Sequence, residues 1–268
     1  MELRHNYDLD ILLNHMNMAR STYYYHQKKG QANDKYREIK EIIKSIYHNH
    51  KGRMGYRRIT LCIKQKGIII NHKTVLRLMK VLGLKSLIRI KKYKSYKGEY
   101  GKIAPNILQR DFKASQPNQK WATDITEFNV KGKKLYLSPI IDLYNREIIT
   151  YELSERPNFE QVTNMLKKSF KKIGDNAKLI LHSDQGWQYQ MKQYQRILKD
   201  KGIIQSMSRK GNCLDNAIIE NFFGILKSEL FYLKKYSSIK ELKKEIREYI
   251  QYYNHDRIKL NLKGMSPV

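Results

Sequence analysis

The sequence predicts an α/β domain, a mixed five-stranded sheet flanked by helices, preceded by a small all-α region of helix-turn-helix type. Three observations carry this. Residues 120–153 hold three short runs rich in β-branched and aromatic residues, parted by turn residues. From Asn158 onward, strand-like and helix-like patterns alternate. The first 84 residues show helical periodicity alone.

The N-terminal region divides at its glycines. Asp8 to Met16 is apolar-periodic, and a second short segment from Arg20 ends near Gln27. Asp34 to His48 places Ile39, Ile42, Ile43 and Ile46 on one helix face, and Gly52 breaks it. Gly55 to Lys66 is the next candidate helix. Asn71 is an N-cap candidate for a third, Lys73 to Leu82, with Val75, Leu76 and Met79 turned inward. Short helices joined by glycine-containing turns fit a helix-turn-helix module, and a plain helical bundle as well. Lys73, Arg77 and Lys80 form a basic edge on the third helix.

Residues 85–117 read as a basic linker. Nine basic side chains between Lys85 and Lys113 face two acids, Glu99 and Asp111, and Tyr93, Tyr96 and Tyr100 are interleaved. Such a segment can follow a phosphate backbone and stack on bases, or it can be an ordinary solvated linker. Gln116-Pro117-Asn118 marks the boundary of a catalytic region, 118–268.

Trp121–Phe128, Leu135–Leu143 and Glu147–Leu153 are expected to form an antiparallel meander, with turns at Lys131-Gly132-Lys133 and Tyr144-Asn145-Arg146. A helix from Asn158 to Lys172, a strand at Lys178–Leu181, a helix from Tyr189 to Lys201 and a strand at Ile203–Met207 follow. Asn216–Leu230 and Ser237–Asn254 close the chain as helices. This is the element order of the ribonuclease-H-like α/β fold.

Charge and composition narrow the function. Lys and Arg number 53 against 25 acids, a net charge of +28. A lysine-rich codon usage raises the first number but does not suppress the acids. An excess this large favours a polyanionic partner, and nucleic acid is the natural one. Cys62 and Cys213 are far apart, which supports neither a zinc site nor a disulfide framework. No apolar run approaches the roughly 20 residues of a membrane span, so no membrane partner is expected.

Three acids stand out by position. Asp124 falls in the first strand, Asp184 closes the fourth, and Glu220 lies on the helix that begins near Asn216. In this fold the first and fourth strands are neighbours, so the two aspartates can converge and the helix can bring Glu220 beside them. At about 100° per residue, Ile219, Phe223, Leu226 and Leu230 share the buried face, with Glu220 at its border. Asn216, four residues earlier, and Lys227, seven later, share that border. Close carboxylates repel one another, and a hard cation such as Mg²⁺ or Mn²⁺ reverses the sign. Two such ions about 3.5–4 Å apart serve in-line phosphodiester displacement. Taken singly, each acid would read as a surface residue, a strand cap or half of an ion pair.

The setting of these residues resembles the insertion-sequence transposases related to retroviral integrases, specifically the OrfB protein of the IS-three family. Thirty-five residues separate Asp184 from Glu220, as in that family's D-D-35-E signature. The matching stretches are Trp121-Ala122-Thr123-Asp124-Ile125-Thr126, His182-Ser183-Asp184-Gln185-Gly186, Ser208-Arg209-Lys210-Gly211-Asn212 through Ala217, and Glu220-Asn221-Phe222-Phe223 with Leu226-Lys227-Ser228-Glu229. Tyr253-Asn254-His255-Asp256-Arg257, Gly55-Tyr56-Arg57-Arg58-Ile59 and Asn71-His72-Lys73 also fit, so the likeness covers nearly the whole chain.

The resemblance implies an integrase catalytic core with Asp124, Asp184 and Glu220 as catalytic and metal-binding residues, holding two Mg²⁺ or Mn²⁺ ions. It implies Lys227 as a basic residue contacting DNA near the cut. Its reaction exposes a 3′-OH at the element's end, and that hydroxyl then attacks another phosphodiester. Tyrosines are packing and stacking groups in this scheme, not nucleophiles. Arg57, Arg58, Lys73, Arg77, Lys91, Lys92, Arg209, Lys210, Asn216, Lys227 and Arg257 are the candidate DNA contacts. The expected partner is double-stranded DNA, both element ends and target, bound by a homo-oligomer in the bacterial cytoplasm, on the nucleoid. Members of the family often work fused to an upstream frame carrying a leucine zipper, and no heptad zipper is visible here. The chain also stops at Pro267-Val268, short of an expected tail. The alternatives are a non-catalytic DNA-binding fragment or inhibitor of a transposable element, and a plain ribonuclease-H-like nuclease.

Neutralising Lys91, Lys92 and Lys94 together is expected to weaken DNA binding. The slope of log K against log salt should flatten by up to about 0.9 for each phosphate that is no longer neutralised. An unchanged slope in a salt titration would make these residues merely solvated.

Overall fold

A computed structural model describes residues 6–31, 34–87, 103–173, 178–210 and 212–268. The candidate DNA contacts Lys91 and Lys92, and most of the basic linker, lie outside these residues. Helices α1 (Leu9–His15) and α2 (Arg20–Gln31) are followed by α3 (Arg37–Asn49), α4 (Tyr56–Gln65) and α5 (His72–Val81). Asn71 caps α5 as expected, its side chain accepting from the Lys73 N–H at 2.8 Å. The buried face of α5 is Val75, Leu78 and Met79, so Leu78 takes the inward place read for Leu76. A helix turns 100° per residue, and three residues on from Val75 returns closer to its face than one does.

The sheet has six segments, β1 (Lys120–Thr123), β2 (Thr126–Val130), β3 (Lys133–Asp142), β4 (Ile148–Ser154), β5 (Ile180–Ser183) and β6 (Ile204–Met207). The pairing of Thr123 with Ile140 passes without slip into that of Thr126 with Leu137. Strands β1 and β2 are thus two halves of one strand, interrupted at Asp124-Ile125. The six segments fill five positions, with β4 on one side of β3, β1 and β2 on the other, then β5 and β6. The β2–β3 hairpin turns on Lys131 (φ 50°) and Gly132 (φ 83°). Two positive φ values in a two-residue loop match the right-handed twist of the flanking strands.

Helices cover both faces. Helix α6 (Phe159–Phe170) and the short α7 (Trp187–Gln190) and α8 (Lys192–Asp200) pack Val162, Met165, Leu166, Tyr189, Tyr194 and Leu198 on one side. Helices α9 (Ala217–Leu226) and α10 (Ile239–His255) cover the other with Ile219, Phe222, Leu226, Leu242 and Ile246. The single helix expected at 189–201 is broken at Met191, whose extended backbone begins α8.

Two expectations about boundaries change. Residues 103–113 are stitched to β6 rather than free: the Ile107 and Leu108 N–H groups both donate to Ser206 Oγ, at 3.0 and 3.1 Å. Arg110 donates to Asp215 at 2.8 Å, so its charge is already paired. At the other end, Ile258 joins the apolar core of α3–α5, and Gln65 donates to the Gly264 carbonyl at 3.0 Å. The C-terminal segment seals the N-terminal helical region.

One buried cluster ties the halves together. Glu229, 3% exposed, accepts from Arg257 Nε and Nη2 at 2.9 and 2.7 Å and from the Tyr249 hydroxyl at 2.9 Å. Arg58 reaches the same carboxylate at 3.4 Å. Arg53 donates to the Glu229 carbonyl at 3.2 Å and lies over the rings of Tyr249 and Tyr252. Burial opposes the charge, but the bonds and charge of Arg257, the Arg58 charge and the Tyr249 bond together outweigh it and hold the Glu229 carboxyl below its ordinary range.

Removing this carboxylate leaves buried guanidiniums without their anion. Glu229→Ala is expected to lower the unfolding free energy by about 3–5 kcal/mol in urea. Replacing Glu248, whose pair with Lys244 is exposed, should leave the midpoint nearly unchanged. Since the folded-state pKa is depressed, Glu229's contribution is present at neutral pH. It is lost as pH falls through that value.

Candidate active site

The site is built on the parallel pairing of β1 with β5. Lys120, Trp121 and Ala122 stand opposite Ile180, Leu181 and His182, a constant offset of 60 residues. Continued two residues past the last paired rung, that offset sets Asp124 level with Asp184. Both sit where their strands stop pairing, as expected for groups that must leave the ladder to face a substrate. The Asp124 carboxylate accepts its neighbour Ile125's N–H at 2.7 Å, and Asp184 accepts the Gly186 N–H at 2.9 Å. A side chain at Gly186 would meet Asp184 Oδ1 at 3.0 Å, so glycine permits that turn.

Helix α9 brings the third acid. Its buried residues, Ile219, Phe222, Phe223 and Leu226, press against the sheet, and Leu230 continues the face beyond it. Glu220 remains half-buried at the border of that face. At Lys227 the helix widens into a π turn through Phe231, where the Tyr232 N–H donates five residues back to the Lys227 carbonyl at 2.8 Å. Such turns are rare and often mark functional positions. Lys227 Nζ lies 5.3 Å from the Phe128 ring centroid.

The electrostatics couple these groups. Desolvation, then the Asp184 charge and the Glu220 charge, hold the Asp124 carboxyl well above the ordinary range, and Lys227 pulls it down. Burial raises Asp184 too. Burial and the Asp184 charge raise Glu220. Tyr189 and Tyr194, both fully buried, pack edge to face at 5.4 Å and feel the Asp184 charge. They are part of the apolar ground on which the aspartates stand. Neither was singled out from the sequence, where two tyrosines on a helix look like ordinary core.

Among the described residues no three carboxylate, imidazole or thiolate groups are gathered closely enough to hold a metal ion. The Asp184 and Glu220 charges both act on Asp124, and Lys227 opposes them. Oxygen donors alone, desolvated and mutually repelling, suit a hard divalent cation.

The other candidates separate into groups. Lys73 and Lys210 are exposed, and Arg57 and Arg77 are exposed beside the rings of Tyr56 and Tyr36. Arg209 is exposed, but both its Nε and Nη2 donate to Asp215, at 2.9 and 3.0 Å. Arg257 is buried, with its Nε and Nη2 bonded to Glu229, which corrects its reading as an exposed surface contact for DNA. Arg58 is turned inward, with Nη2 donating to the Arg53 carbonyl at 2.9 Å. Asn216 is also corrected: it is 3% exposed, and neither amide atom has a partner. The expectation assumed a continuous helix, whereas residues Cys213–Asn216 form a 3₁₀ turn, which breaks the four-residue phase to Glu220.

Sequence reasoning also missed Asp215. It is fully buried and bonded by Arg209, Arg110 and Asn106, and the two guanidiniums, Arg209 foremost, hold its carboxyl far below the ordinary range. Beside it His182, driven down to about 4 by burial, pairs with Ser206 at 2.9 Å. These bonds fix the turn that leads into α9.

A raised carboxyl pKa means that ionisation costs stability in the metal-free fold at pH above the unfolded value. Asp124→Asn is therefore expected to raise metal-free stability at pH 7, within the roughly 0.5–2 kcal/mol typical of relieving a strained site. It should also remove the stabilisation that Mg²⁺ gives the unsubstituted protein. A urea titration with EDTA and with Mg²⁺ reads both. An Asn variant less stable in EDTA would contradict the repulsion.

Comparisons with known proteins match residues 114–213 and 220–268 to integrase core domains and residues 34–92 to an HTH-like domain. The chain is 58% identical to the InsK protein of insertion sequence element IS150 from Escherichia coli K12, over 100% of this chain and 94% of that one. It is 60% identical to a transposase-like protein of Haemophilus influenzae, over 75% of this chain and 93% of that one. The transposase InsF for insertion sequence IS3A of E. coli is 33% identical, over 84% and 79%. With this identity spread over its whole length, on a sheet that sets Asp124 beside Asp184, the chain belongs to the insertion-sequence transposases of the IS-three family.

Proposed function

We propose that this chain cuts and joins DNA at the ends of an insertion sequence, with Asp124, Asp184 and Glu220 as its catalytic carboxylates. The observation that carries the reading is the desolvated, mutually repelling trio at the broken end of β1, within the field of Lys227. Asp124, Asp184 and Glu220 would hold two Mg²⁺ or Mn²⁺ ions. Bound there, the ions would lower the pKa of the attacking oxygen and stabilise the leaving one. In the first step a water oxygen bonds to phosphorus and the phosphorus–O3′ bond breaks, leaving a free 3′-OH. In the second, that hydroxyl oxygen bonds to a target phosphorus and displaces the target's own O3′. Lys227, whose charge acts on Asp124, would offset phosphate charge there. Tyr189 and Tyr194 exclude water beneath the aspartates, and the Ile125 and Gly186 N–H groups orient one oxygen of each.

The net charge of +28 and the HTH-like region support double-stranded DNA as the partner, both element ends and target. Joining two ends to one target calls for a dimer or larger assembly. Work in the bacterial cytoplasm and a fusion to an upstream frame belong to the same proposal. Among the described residues no helix is long and apolar enough to cross a membrane.

Asp184→Asn is expected to abolish Mg²⁺-dependent joining of a labelled element end to target DNA, while leaving the affinity for that DNA within about twofold. Retained joining by the purified variant would sink the assignment. Binding without joining in the unsubstituted protein would favour a non-catalytic inhibitor, and hydrolysis without joining a plain nuclease.

A further inference from the structure

We propose that a cleft between α9 and the N-terminal helical region binds a backbone phosphate of the DNA strand that passes the active site. The proposal rests on reading the chain as a DNA-binding transposase. The cleft, about 280 Å³, is lined by Arg58 from α4, by Asn221, Gly224 and Ser228 from α9 and its extension, and by Glu229 and Arg257.

Three features point to an anion. The first is charge: Arg58 and Arg257 line the cleft and both reach the carboxylate of Glu229, leaving one positive charge in excess there, while Arg53 donates to the Glu229 backbone carbonyl. Arg58 Nη1, buried in the wall, has no acceptor. The second is Gly224. Its φ is ordinary, and no atom stands within 4 Å of where a Cβ would be. Glycine weakens a helix interior, and nothing in the fold requires it here. What it leaves is bare backbone over which a nucleic-acid strand can pass closely. The third is direction. Gly224 lies about 40° round the helix from Glu220, and Asn221 about 100°, while Lys227 lies about 20° to the other side. A strand leaving the carboxylates across Gly224 therefore meets the Asn221 amide and the Ser228 hydroxyl, which now donates to the Gly224 carbonyl at 2.7 Å. Because Arg58 belongs to the HTH-like region and Asn221 to the catalytic helix, one phosphate would be held by both parts of the chain.

The test uses the full chain with Gly224→Ala and Gly224→Glu, since a Cβ at this position meets no atom within 4 Å. Affinity for a duplex carrying the element end is measured by fluorescence anisotropy in EDTA across a salt series. A set of duplexes each bears one methylphosphonate. Gly224→Ala should bind within about twofold of the unsubstituted protein. Gly224→Glu should bind at least about tenfold more weakly, with a salt slope smaller by about 0.9, one phosphate's share. One or two adjacent methylphosphonates should weaken the unsubstituted protein but cost Gly224→Glu nothing further. Equal affinity and slope for the two variants would overturn the proposal. So would a weaker Gly224→Glu whose methylphosphonate pattern is unchanged, since that is general repulsion. The assay contains no metal and reads no chemistry, so the cleft and the catalytic carboxylates can fail independently.

Discussion

Everything in the candidate site depends on two parallel strands stopping together. The β1–β5 ladder ends at Ala122 and His182, and the same offset, carried two residues on, sets Asp124 level with Asp184. Had the offset slipped by one residue, one carboxylate would point to the opposite face of the sheet, because side chains alternate along a strand. The fully buried side chains that fix the register, Trp121, Leu181 and Ile140, are therefore as necessary to the chemistry as the acids. The cost of this arrangement falls on the acids, which are held close in a poorly solvated place with one lysine against three negative charges.

The third carboxylate needs a different support. Glu220 rides on α9, and α9 must keep its rotation for Glu220 to face the aspartates. Its apolar side presses on the sheet, and just beyond the start of the π turn Glu229 ties its C-terminal end to α10 and the N-terminal helices through Arg257, Tyr249 and Arg58. The same carboxylate thus locks helix rotation and joins the region expected to read DNA to the region expected to cut it.

Much of this was legible in the sequence where the signal is local. Asn71 caps the helix it was expected to cap, because an amide before an apolar-periodic run has few other uses. The Lys131-Gly132 turn and the order of strands followed from turn chemistry and period. Asp124 lies within the first strand as read, at an interruption that β propensity cannot reveal, since its pairing partners keep register on both sides. What was not legible depends on contacts between distant residues. Glu229 and Arg58 are 171 positions apart, and each alone looks like a surface charge. Arg257, read as a DNA contact, is spent on buried Glu229, and Arg110, one of the basic residues of the linker, on buried Asp215. The 3₁₀ turn at Cys213–Asn216 shifted Asn216 out of the phase that a continuous helix would have given it.

The central claim is that Asp124, Asp184 and Glu220 form one divalent-cation site. Anomalous diffraction from crystals soaked in Mn²⁺ tests it most directly. Anomalous peaks bound by those three carboxylates are expected, together with their loss in Asp184→Asn crystals treated the same way. Mn²⁺ bound elsewhere on the chain, with the three carboxylates left uncoordinated, would contradict it.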